Sequence, residues 1–300
     1  MKIFISGGTG FVGQNLSKQL LNAGHSVIAS GTRPEQKNIN HKNFLYLPAD
    51  TTKTGEWQKA VGDSDAVVNL AGRNIFNYWT KSYKQDLYNS RILTTRNIVD
   101  ALPDKDIVLC SASAVGFYGD CKNEIITENS PGADDFLAML SKDWEAEALK
   151  AEAKGARVVL TRFGIILGKN GGAMKQMLPA FRFGLGGPLG RGSQWFPWIH
   201  ADDITGTIIF ILENHKIQGP VNLTAPGLIQ QKDFAKILGS VLKRPAFMPA
   251  PGFMIKIIMG ELGNVLLTGQ KVMPEKLLKS GYSFKFPDIR TAVEDIIKSA

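Results

Sequence analysis

The chain has 300 residues, of which 44% are hydrophobic and 21% are charged, and its formal net charge is +8. This composition is typical of a globular protein with one large α/β domain and a smaller lobe, and it excludes a disordered or fibrous chain. The basic residues form no dense cluster with aromatics, so the charge favours a solvated surface that attracts anionic small molecules over a nucleic-acid site.

Cysteine content and apolar runs limit the compartment and the partners. Cys110 and Cys121 are too few for a disulfide framework and lack metal-ligand spacing, so we expect a reducing cytoplasm and no metal site. The start of the chain is not typical of a signal peptide, because its apolar run reaches glycines after three residues. The run 253–259 contains Lys256 and is far too short to span a bilayer, so no membrane partner is expected.

Strands and helices alternate through the first half of the sequence. A buried strand at 2–6, a helix with apolar residues at helical spacing at 11–23, and a strand at 26–30 form a βαβ unit. The later predicted elements are strands at 43–47, 65–70, 106–111 and 156–162, and helices at 54–61, 81–101 and 134–153. This alternation predicts an α/β fold with a Rossmann-type, doubly wound parallel sheet.

The second half differs in texture. Residues 164–192 are glycine-rich, basic and irregular, whereas a helix at 202–213 and a strand at 220–223 are expected to return to the sheet. From residue 231 onward the sequence is mainly helical and amphipathic. We expect a Rossmann domain over 1–230, with 164–192 contributing to the substrate lobe, and a small helical domain over 231–300 above the carboxyl edge of the sheet.

Three glycines follow the first strand at the spacing G-x-x-G-x-x-G. Gly7 allows the tight turn, Gly10 lets the backbone approach a pyrophosphate, and Gly13 lets the helix pack closely on the strand. The helix N-terminus adds free N–H groups and a positive dipole end. The alternative is a glycine turn without a ligand. The pattern predicts a dinucleotide site that also includes Thr9, Phe11 and Val12.

The residues after the second strand favour NADP(H). An NAD enzyme usually has an acid there, but this chain has Thr32 and Arg33, and an arginine can bind a 2′-phosphate. The alternative for Arg33 is an exposed loop arginine. Asp50 is placed to reach the adenine amino group, or else is a loop acid or helix cap. A turn of small residues at the end of the fourth strand lets the backbone pass beside the cofactor, and its members are Leu70, Ala71 and Gly72.

Several motifs together resemble a known family. SGGTGFVG (6–13), NLAG (69–72) and SASAVGFYG (111–119) resemble the extended short-chain dehydrogenase/reductases, which include nucleotide-sugar epimerases and dehydratases. Later motifs, including WIHADD (198–203) and PEKL (274–277), are similar to the YfcH-type epimerase family with its C-terminal domain of unknown function. The resemblance covers essentially the whole chain. It implies a Rossmann domain, NADP(H) binding and a small-molecule pocket between the lobes.

The same resemblance implies a catalytic serine and a Y-x-x-x-K pair, but this sequence departs from the family pattern at the pair. Ser113 matches the family's serine, and Ser111, which we assign to the cofactor site, is the near alternative. In the most direct register Phe136 stands at the tyrosine position and Leu140 at the lysine position, and neither can transfer a proton. Lys142 lies half a turn further round the helix and is equally well explained as a solvated lysine.

Other residues are candidates to replace the missing pair. Tyr118 could supply a phenol from the opposite side of the site, or else is a half-buried aromatic. His200 could act as an acid or base, or else is a structural hydrogen-bonding group beside two aspartates. One or two arginines are expected to bind a substrate phosphate or carboxylate, among Arg91, Arg162, Arg182 and Arg191.

Two functions are consistent with these residues. The first is an NADP(H)-dependent oxidoreductase or epimerase-like enzyme, monomeric or homodimeric, that acts on an unidentified small anionic substrate such as a nucleotide sugar. The alternative is a catalytically degenerate NADP(H)-binding regulatory or scaffold protein. The helical segment 135–145 distinguishes them, since its missing tyrosine and lysine favour the alternative, whereas the pocket motifs favour the enzyme.

Overall fold

The computed structural model describes residues 1–298 as an α/β fold. Its strands are β1 (Lys2–Ser6), β2 (Ser26–Gly31), β3 (Phe44–Pro48), β4 (Ala66–Asn69), β5 (Val108–Ala114), β6 (Ile125–Ile126), β7 (Arg157–Phe163), β8 (Ile165–Gly168), β9 (Trp198–His200), β10 (Gly219–Leu223) and β11 (Lys271–Val272). Its helices are α1 (Phe11–Asn22), α2 (Trp57–Gly62), α3 (Lys81–Ala101), α4 (Phe136–Leu149), α5 (Gly172–Arg182), α6 (Ala201–Glu213), α7 (Gln231–Leu242), α8 (Gly252–Met259), α9 (Glu261–Leu266), α10 (Glu275–Lys279) and α11 (Ile289–Lys298).

The central sheet has seven strands in the order β10-β7-β5-β4-β1-β2-β3, and all neighbouring pairs are parallel. The strand order reverses between β1 and β4, which pair directly. In doubly wound sheets the carboxyl ends of strands at such a reversal flank the ligand crevice. The predicted Rossmann-type sheet is therefore confirmed, and the glycine-rich turn after β1 lies at its switch point.

Alternating side chains of the strands fill two apolar layers. Ile3 and Ile5 of β1 point to the layer covered by α1 and α6, whereas Phe4 points to the opposite layer with Trp57 of α2. Phe4 and Trp57 stack with ring centroids 5.9 Å apart. Burial on both faces explains why the strands are continuous apolar runs rather than alternating ones.

A further core joins the middle of the chain to its C-terminal part. Leu178 and Phe181 of α5 pack in one cluster with Phe234 of α7 and Val293 of α11. Trp198 of β9 belongs to the same cluster and donates its indole N–H to the carbonyl of Gly227. The segment 164–192 thus shares its apolar contacts with residues beyond 231.

Two short parallel pairs were not predicted from the sequence. β8 pairs with β9, and β6 pairs with β11, which places residues 125–126 beside 271–272. β5 also extends three residues beyond the predicted end of its strand, to Ala114. Within residues 1–298, no helix has the length and apolar character needed to cross a membrane.

Candidate dinucleotide and substrate site

The glycine turn is shaped by close backbone contacts. Gly7 has φ +71°, a left-handed conformation that favours glycine, and Gly10 N–H donates to its carbonyl at 2.9 Å. A Cβ at Gly13 would lie 2.5 Å from the Gly7 carbonyl oxygen, which leaves no room for a side chain. Gly10 is the N-cap of α1 and offers no side-chain acceptor to the first helical N–H groups. These groups suit a phosphate oxygen.

The Phe11 ring packs against the backbone of two glycines from a distant segment. A Cβ at Gly168 would lie 2.5 Å from the Phe11 ring, and a Cβ at Gly171 would overlap the same ring. The N-terminal turn of α1, which includes Val12, is therefore held against the end of β8 and the start of α5. This contact brings the segment that follows β7 to the glycine turn.

The end of β2 lies beside the same turn. Gly8 N–H donates to the Ser30 carbonyl at 2.8 Å, and a Cβ at Gly31 would lie 2.6 Å from the Thr9 hydroxyl. Thr32 and Arg33 follow directly and are exposed. The Tyr46 hydroxyl lies 2.6 Å from the Arg33 carbonyl oxygen and fixes the backbone of this loop. The structure thus brings Arg33 to the glycine turn with a solvent-accessible side chain.

Two other predicted cofactor segments have defined surroundings. The Asp50 carboxylate accepts from the Thr52 hydroxyl at 2.7 Å and from the Thr52 N–H at 3.2 Å, so it caps its own turn. A Cβ at Gly7 would lie 2.9 Å from the Ala71 nitrogen, so the end of β4 borders the glycine turn. Gly72 faces the Arg91 guanidinium. The roles of these residues in cofactor binding stay predictions.

A buried polar network lies beneath this crevice. The Ser6 hydroxyl donates to Asn69 Oδ1 at 2.6 Å, and Asn69 Nδ2 donates to the Thr95 hydroxyl at 2.9 Å and more weakly to Ser111 Oγ at 3.4 Å. The indole N–H of Trp144 also donates to Thr95, at 2.8 Å. Ser111 is therefore a buried member of the scaffold that joins β1, β4, β5 and α3.

Ser113 belongs to a second network, built around an ion pair. Its hydroxyl donates to Glu145 Oε1 at 2.6 Å, and Arg162 binds the two oxygens of that carboxylate with two bonds of 2.7 Å. Ser113 and Arg162 are paired residues in the β5–β7 register. All three side chains are buried. Glu145 was not among the residues predicted from the sequence, although its spacing from the buried Ala138 and Ser141 could have placed it on the inner face of α4.

Tyr118 extends the second network. Arg162 Nη1 donates to the Tyr118 hydroxyl at 2.8 Å, and this hydroxyl donates to Asn222 Oδ1 at 2.7 Å. Burial raises the pKa of Tyr118 to about 12 even though Arg162 opposes the shift. The phenol is therefore protonated at neutral pH. The structure brings Ser113 and Tyr118 together through Glu145 and Arg162, whereas a catalytic role for either residue stays a prediction.

His200 lies in different surroundings. Its Nδ1 accepts from the Asp202 N–H at 3.1 Å and caps α6, and its ring is 4.0 Å from that of Phe286. Nε2 is 3.6 Å from Asp295 Oδ2, too long for a hydrogen bond. Burial lowers the pKa of His200, although the nearby aspartates oppose this shift. The structure does not join His200 to Ser113 or Tyr118 by hydrogen bonds among the described residues.

The positions of the missing tyrosine and lysine are apolar. Phe136 packs edge-on against Trp79, with ring centroids 5.4 Å apart, and Leu140 is buried in the same cluster with Leu87 and Leu262. Lys142 forms an ion pair with Asp134 at 2.8 Å. In the predicted register, side chains of α3, α4 and α9 therefore fill the place where a proton-transferring pair would stand.

The four candidate arginines differ in availability. Arg91 donates to the carbonyls of Leu87 and Arg73, and burial lowers its pKa to about 10. Arg162 is occupied by its buried ion pair with Glu145, whereas Arg182 is exposed at the end of α5. Arg191 is exposed and lies in the wall of an open cleft of about 500 Å³. The cleft is lined by Gly190, Arg191, Ser193, Gln194, Pro249, Pro251, Gly252 and Leu267.

Fold and glycine turn together define a dinucleotide-binding Rossmann protein. Residues 3–223 match the NAD dependent epimerase/dehydratase family, and residues 250–296 match a domain of unknown function, DUF1731. The chain belongs to this epimerase/dehydratase family, as the resemblance of its motifs predicted.

The matches to relatives of similar length cover nearly the whole chain. It is 38% identical to the chloroplastic SDR39U1 homologue of Arabidopsis thaliana, with 99% of this chain and 87% of the relative covered. It is 36% identical to YfhF of Bacillus subtilis, with 99% and 98% covered. The crystal structure of human SDR39U1 with NADPH has a TM-score of 0.88, 32% identity and full coverage of both chains. A Bacillus cereus UDP-glucuronic acid 4-epimerase, 18% identical, shares the fold with a TM-score of 0.79 and coverage of 100% and 99%.

Proposed function

We propose that this protein binds NADP(H) and is an oxidoreductase or epimerase-like enzyme for a small anionic substrate. The proposal rests on one observation, the glycine turn of β1 and α1 with the exposed Arg33 beside it. The residues fit the cofactor, because the turn has no room for a Cβ at Gly13 and leaves the N–H groups of α1 to a phosphate. The NADPH-bound structure of human SDR39U1 supports the same cofactor.

The open cleft supports an anionic substrate. Arg191 and Ser193 are exposed in its wall, and a guanidinium binds phosphate or carboxylate with paired bonds. Of the four candidate arginines, Arg191 is therefore the one we assign to the substrate. Nucleotide sugars fit this requirement, and related folds in complex with UDP-glucuronic acid are consistent with it.

NADPH supplies a hydride from its nicotinamide when it is bound, and the protein must orient the substrate. We assign orientation to Ser113, whose hydroxyl hydrogen is donated to Glu145, so that its oxygen can accept a hydrogen bond from a substrate hydroxyl. Tyr118 is the nearest phenol joined to this group, and Arg162 holds it by a hydrogen bond. His200 is the candidate outside this network, because its contacts are with the C-terminal part of the chain.

The alternative function, an NADP(H)-binding regulatory or scaffold protein without turnover, also has a specific observation in its favour. Phe136 and Leu140 are packed into an apolar cluster, and Ser113 and Tyr118 are both engaged in buried hydrogen bonds. These contacts leave no exposed proton donor among the three candidate catalytic residues.

Binding and turnover separate the two functions. NADPH binding is measured by fluorescence titration, and NADPH oxidation and epimer formation are followed across a panel of nucleotide sugars and anionic metabolites. Gly10→Asp should abolish NADPH binding, because it introduces a carboxylate beside the pyrophosphate position. Unchanged affinity in this variant would reject the dinucleotide site. Tight binding with no turnover across the panel would favour the regulatory function.

A further inference from the structure

The most exposed large apolar side chains of the described chain lie on two neighbouring segments, 183–185 and 247–258. The five highest exposures, from 66% to 83%, belong to Phe183, Phe247, Phe253, Ile257 and Ile258. Leu185, Met248 and Met254 extend this set. We call these eight side chains the apolar face.

Backbone contacts hold together the two segments that carry the apolar face. Ala250 N–H donates to the Pro188 carbonyl and Gly190 N–H donates to the Ala250 carbonyl, both at 2.9 Å. A Cβ at Gly184 would lie 3.4 Å from Pro245. The loop after α5 therefore runs beside the loop before α8, and α8 begins within four residues of Met248.

The helix α8 exposes its apolar side chains to solvent, whereas an ordinary surface helix buries them. Its sequence is GFMIKIIM, and Ile255 is its only buried residue. Phe253, Met254, Ile257 and Ile258 face solvent. A surface helix normally buries its apolar side, and a contiguous exposed apolar patch indicates an interaction site.

The segments that carry the apolar face have charges of one sign, and the first acid beyond α8, Glu261, pairs with Lys84. Arg182, Lys243, Arg244 and Lys256 are exposed on the same segments. Within residues 1–298 none of the four forms an ion pair. The sequence contains no Asp or Glu in residues 171–201 or 234–260. A second copy of this surface would bring like charges together, whereas an anionic partner would neutralise them.

We propose that the apolar face binds peripherally to the surface of an anionic phospholipid bilayer. Aromatic and aliphatic side chains on a short helix can enter the boundary between headgroups and acyl chains while lysines and arginines contact the headgroups. The short run 253–259 excludes a segment that spans the bilayer, but it does not exclude peripheral binding. The eight residues of α8 lie in the plane of the interface and do not cross it.

Vesicle cosedimentation of the full chain tests the proposal. We expect binding to phosphatidylcholine vesicles that contain about one-third phosphatidylglycerol, and much weaker binding to pure phosphatidylcholine. The double variant Ile257→Ser with Ile258→Ser should lower partitioning about tenfold or more. Its matched control is Ile125→Ser with Leu45→Ser, which removes two exposed apolar side chains outside the apolar face.

Charge variants and oligomeric state complete the test. Arg244→Glu with Lys256→Glu should weaken binding to anionic vesicles and reduce its dependence on salt. The melting temperature and NADPH affinity of each variant, compared with wild type, show whether it is folded, independently of any catalytic activity. Absence of binding to anionic vesicles overturns the proposal. A concentration-dependent dimer that the isoleucine variant abolishes would instead assign the apolar face to a second copy and would also overturn it.

Discussion

Arg33 is the residue on which the choice between NADP(H) and NAD(H) depends. Its side chain is exposed beside the glycine turn, while its backbone is fixed by the Tyr46 hydroxyl. The loop is therefore positioned even though the guanidinium is free to meet a phosphate.

Replacing Arg33 with Ala should selectively weaken NADPH binding. Loss of charge-assisted bonds to a 2′-phosphate should lower the affinity about tenfold to a hundredfold, and NADH affinity should change little. Titration with both cofactors measures this selectivity. Lys37→Ala is the control, because this exposed lysine of the same loop pairs with Glu35. An equal loss for NADH and NADPH would show that Arg33 does not recognise the 2′-phosphate.

Glu145 and Arg162 form the ion pair that holds Ser113 and Tyr118. Glu145→Gln removes the charge but keeps the shape, and it leaves a buried guanidinium without its counter-ion. We expect the free energy of unfolding to fall by about 3–5 kcal/mol, measured by urea denaturation. Glu261→Gln, at the more exposed pair with Lys84, should cost about 1 kcal/mol or less. Equal effects of the two substitutions would contradict the importance of burial.

The sequence was informative about residues that act through the backbone and less so about side-chain networks. The spacing of Gly7, Gly10 and Gly13 predicted the turn, because a local backbone geometry requires glycine. The contact between Glu145 and Arg162 depends on the register of β5 and β7 and on the rotation of α4. These are long-range properties, and no local pattern encodes them.

At the scale of elements, the N-terminus of α6 joins the sheet domain to the C-terminal helices. His200 caps α6 through Nδ1, while Asp203 accepts the backbone N–H groups of Lys285 and Phe286 at 2.7 and 2.9 Å. Asp202 pairs with the Lys285 ammonium at 2.6 Å. One helix turn therefore anchors residues 285–286.

His200 should make stability depend on pH. Its folded pKa lies below the ordinary value of about 6.5, since burial disfavours the cation against the opposing charges of Asp202, Asp203 and Asp295. The contribution of the neutral His200 ring to the free energy of unfolding is fully present above the ordinary pKa. It is lost as the pH falls from the ordinary pKa toward the folded pKa, because in this range the unfolded chain binds the proton more readily than the folded chain.

The variant His200→Asn tests this dependence. Asparagine keeps an N-cap acceptor but does not titrate, so the loss of unfolding free energy between about pH 7 and pH 5 should be smaller than in wild type. Urea denaturation at the two pH values measures the difference. The control His215→Asn, at an exposed histidine, should leave the pH dependence of the unfolding free energy unchanged. An unaltered pH dependence in His200→Asn would refute the assignment.

Long elements with a strong period were predictable, whereas short ones were not. α1 and α3 follow the predicted helices 11–23 and 81–101 within a residue at each end, because their apolar spacing and flanking caps are local signals. β6 and β11 have two residues each and exist only because they pair with each other across 146 positions of sequence. α8 could be read as apolar, but its outward orientation depends on tertiary packing.

At the scale of the whole molecule, the two predicted domains share a core. Phe234, Leu238 and Val293 pack with Leu178 and Phe181, so the region beyond residue 231 and the segment 164–192 bury one another. We therefore infer that the predicted domain boundary near residue 230 marks a change in chain topology and does not separate two independent folding units.

We expect the full chain to unfold in a single calorimetric transition. A fragment that ends at residue 230 should expose the α5 side of this core and be poorly soluble or much less stable, because the missing helices cover large apolar side chains. The matched comparison is the full chain carrying Asp203→Ala, which removes the anchor of residues 285–286 and the bond from the Tyr282 hydroxyl but leaves the shared core in place. Two separate transitions, or a fragment as stable as the full chain, would contradict the shared core.

The pairing of β6 with β11 has a consequence for biosynthesis. β6 follows Tyr118 in the connection to α4, but its partner residues 271–272 are made 146 positions later. Glu128, two residues after β6, also has a late partner, because its carboxylate accepts the backbone N–H of Lys276 at 3.2 Å. During translation the parallel sheet can assemble early, whereas the edge that contains Ser113 and Tyr118 is completed only after most of the chain has left the ribosome.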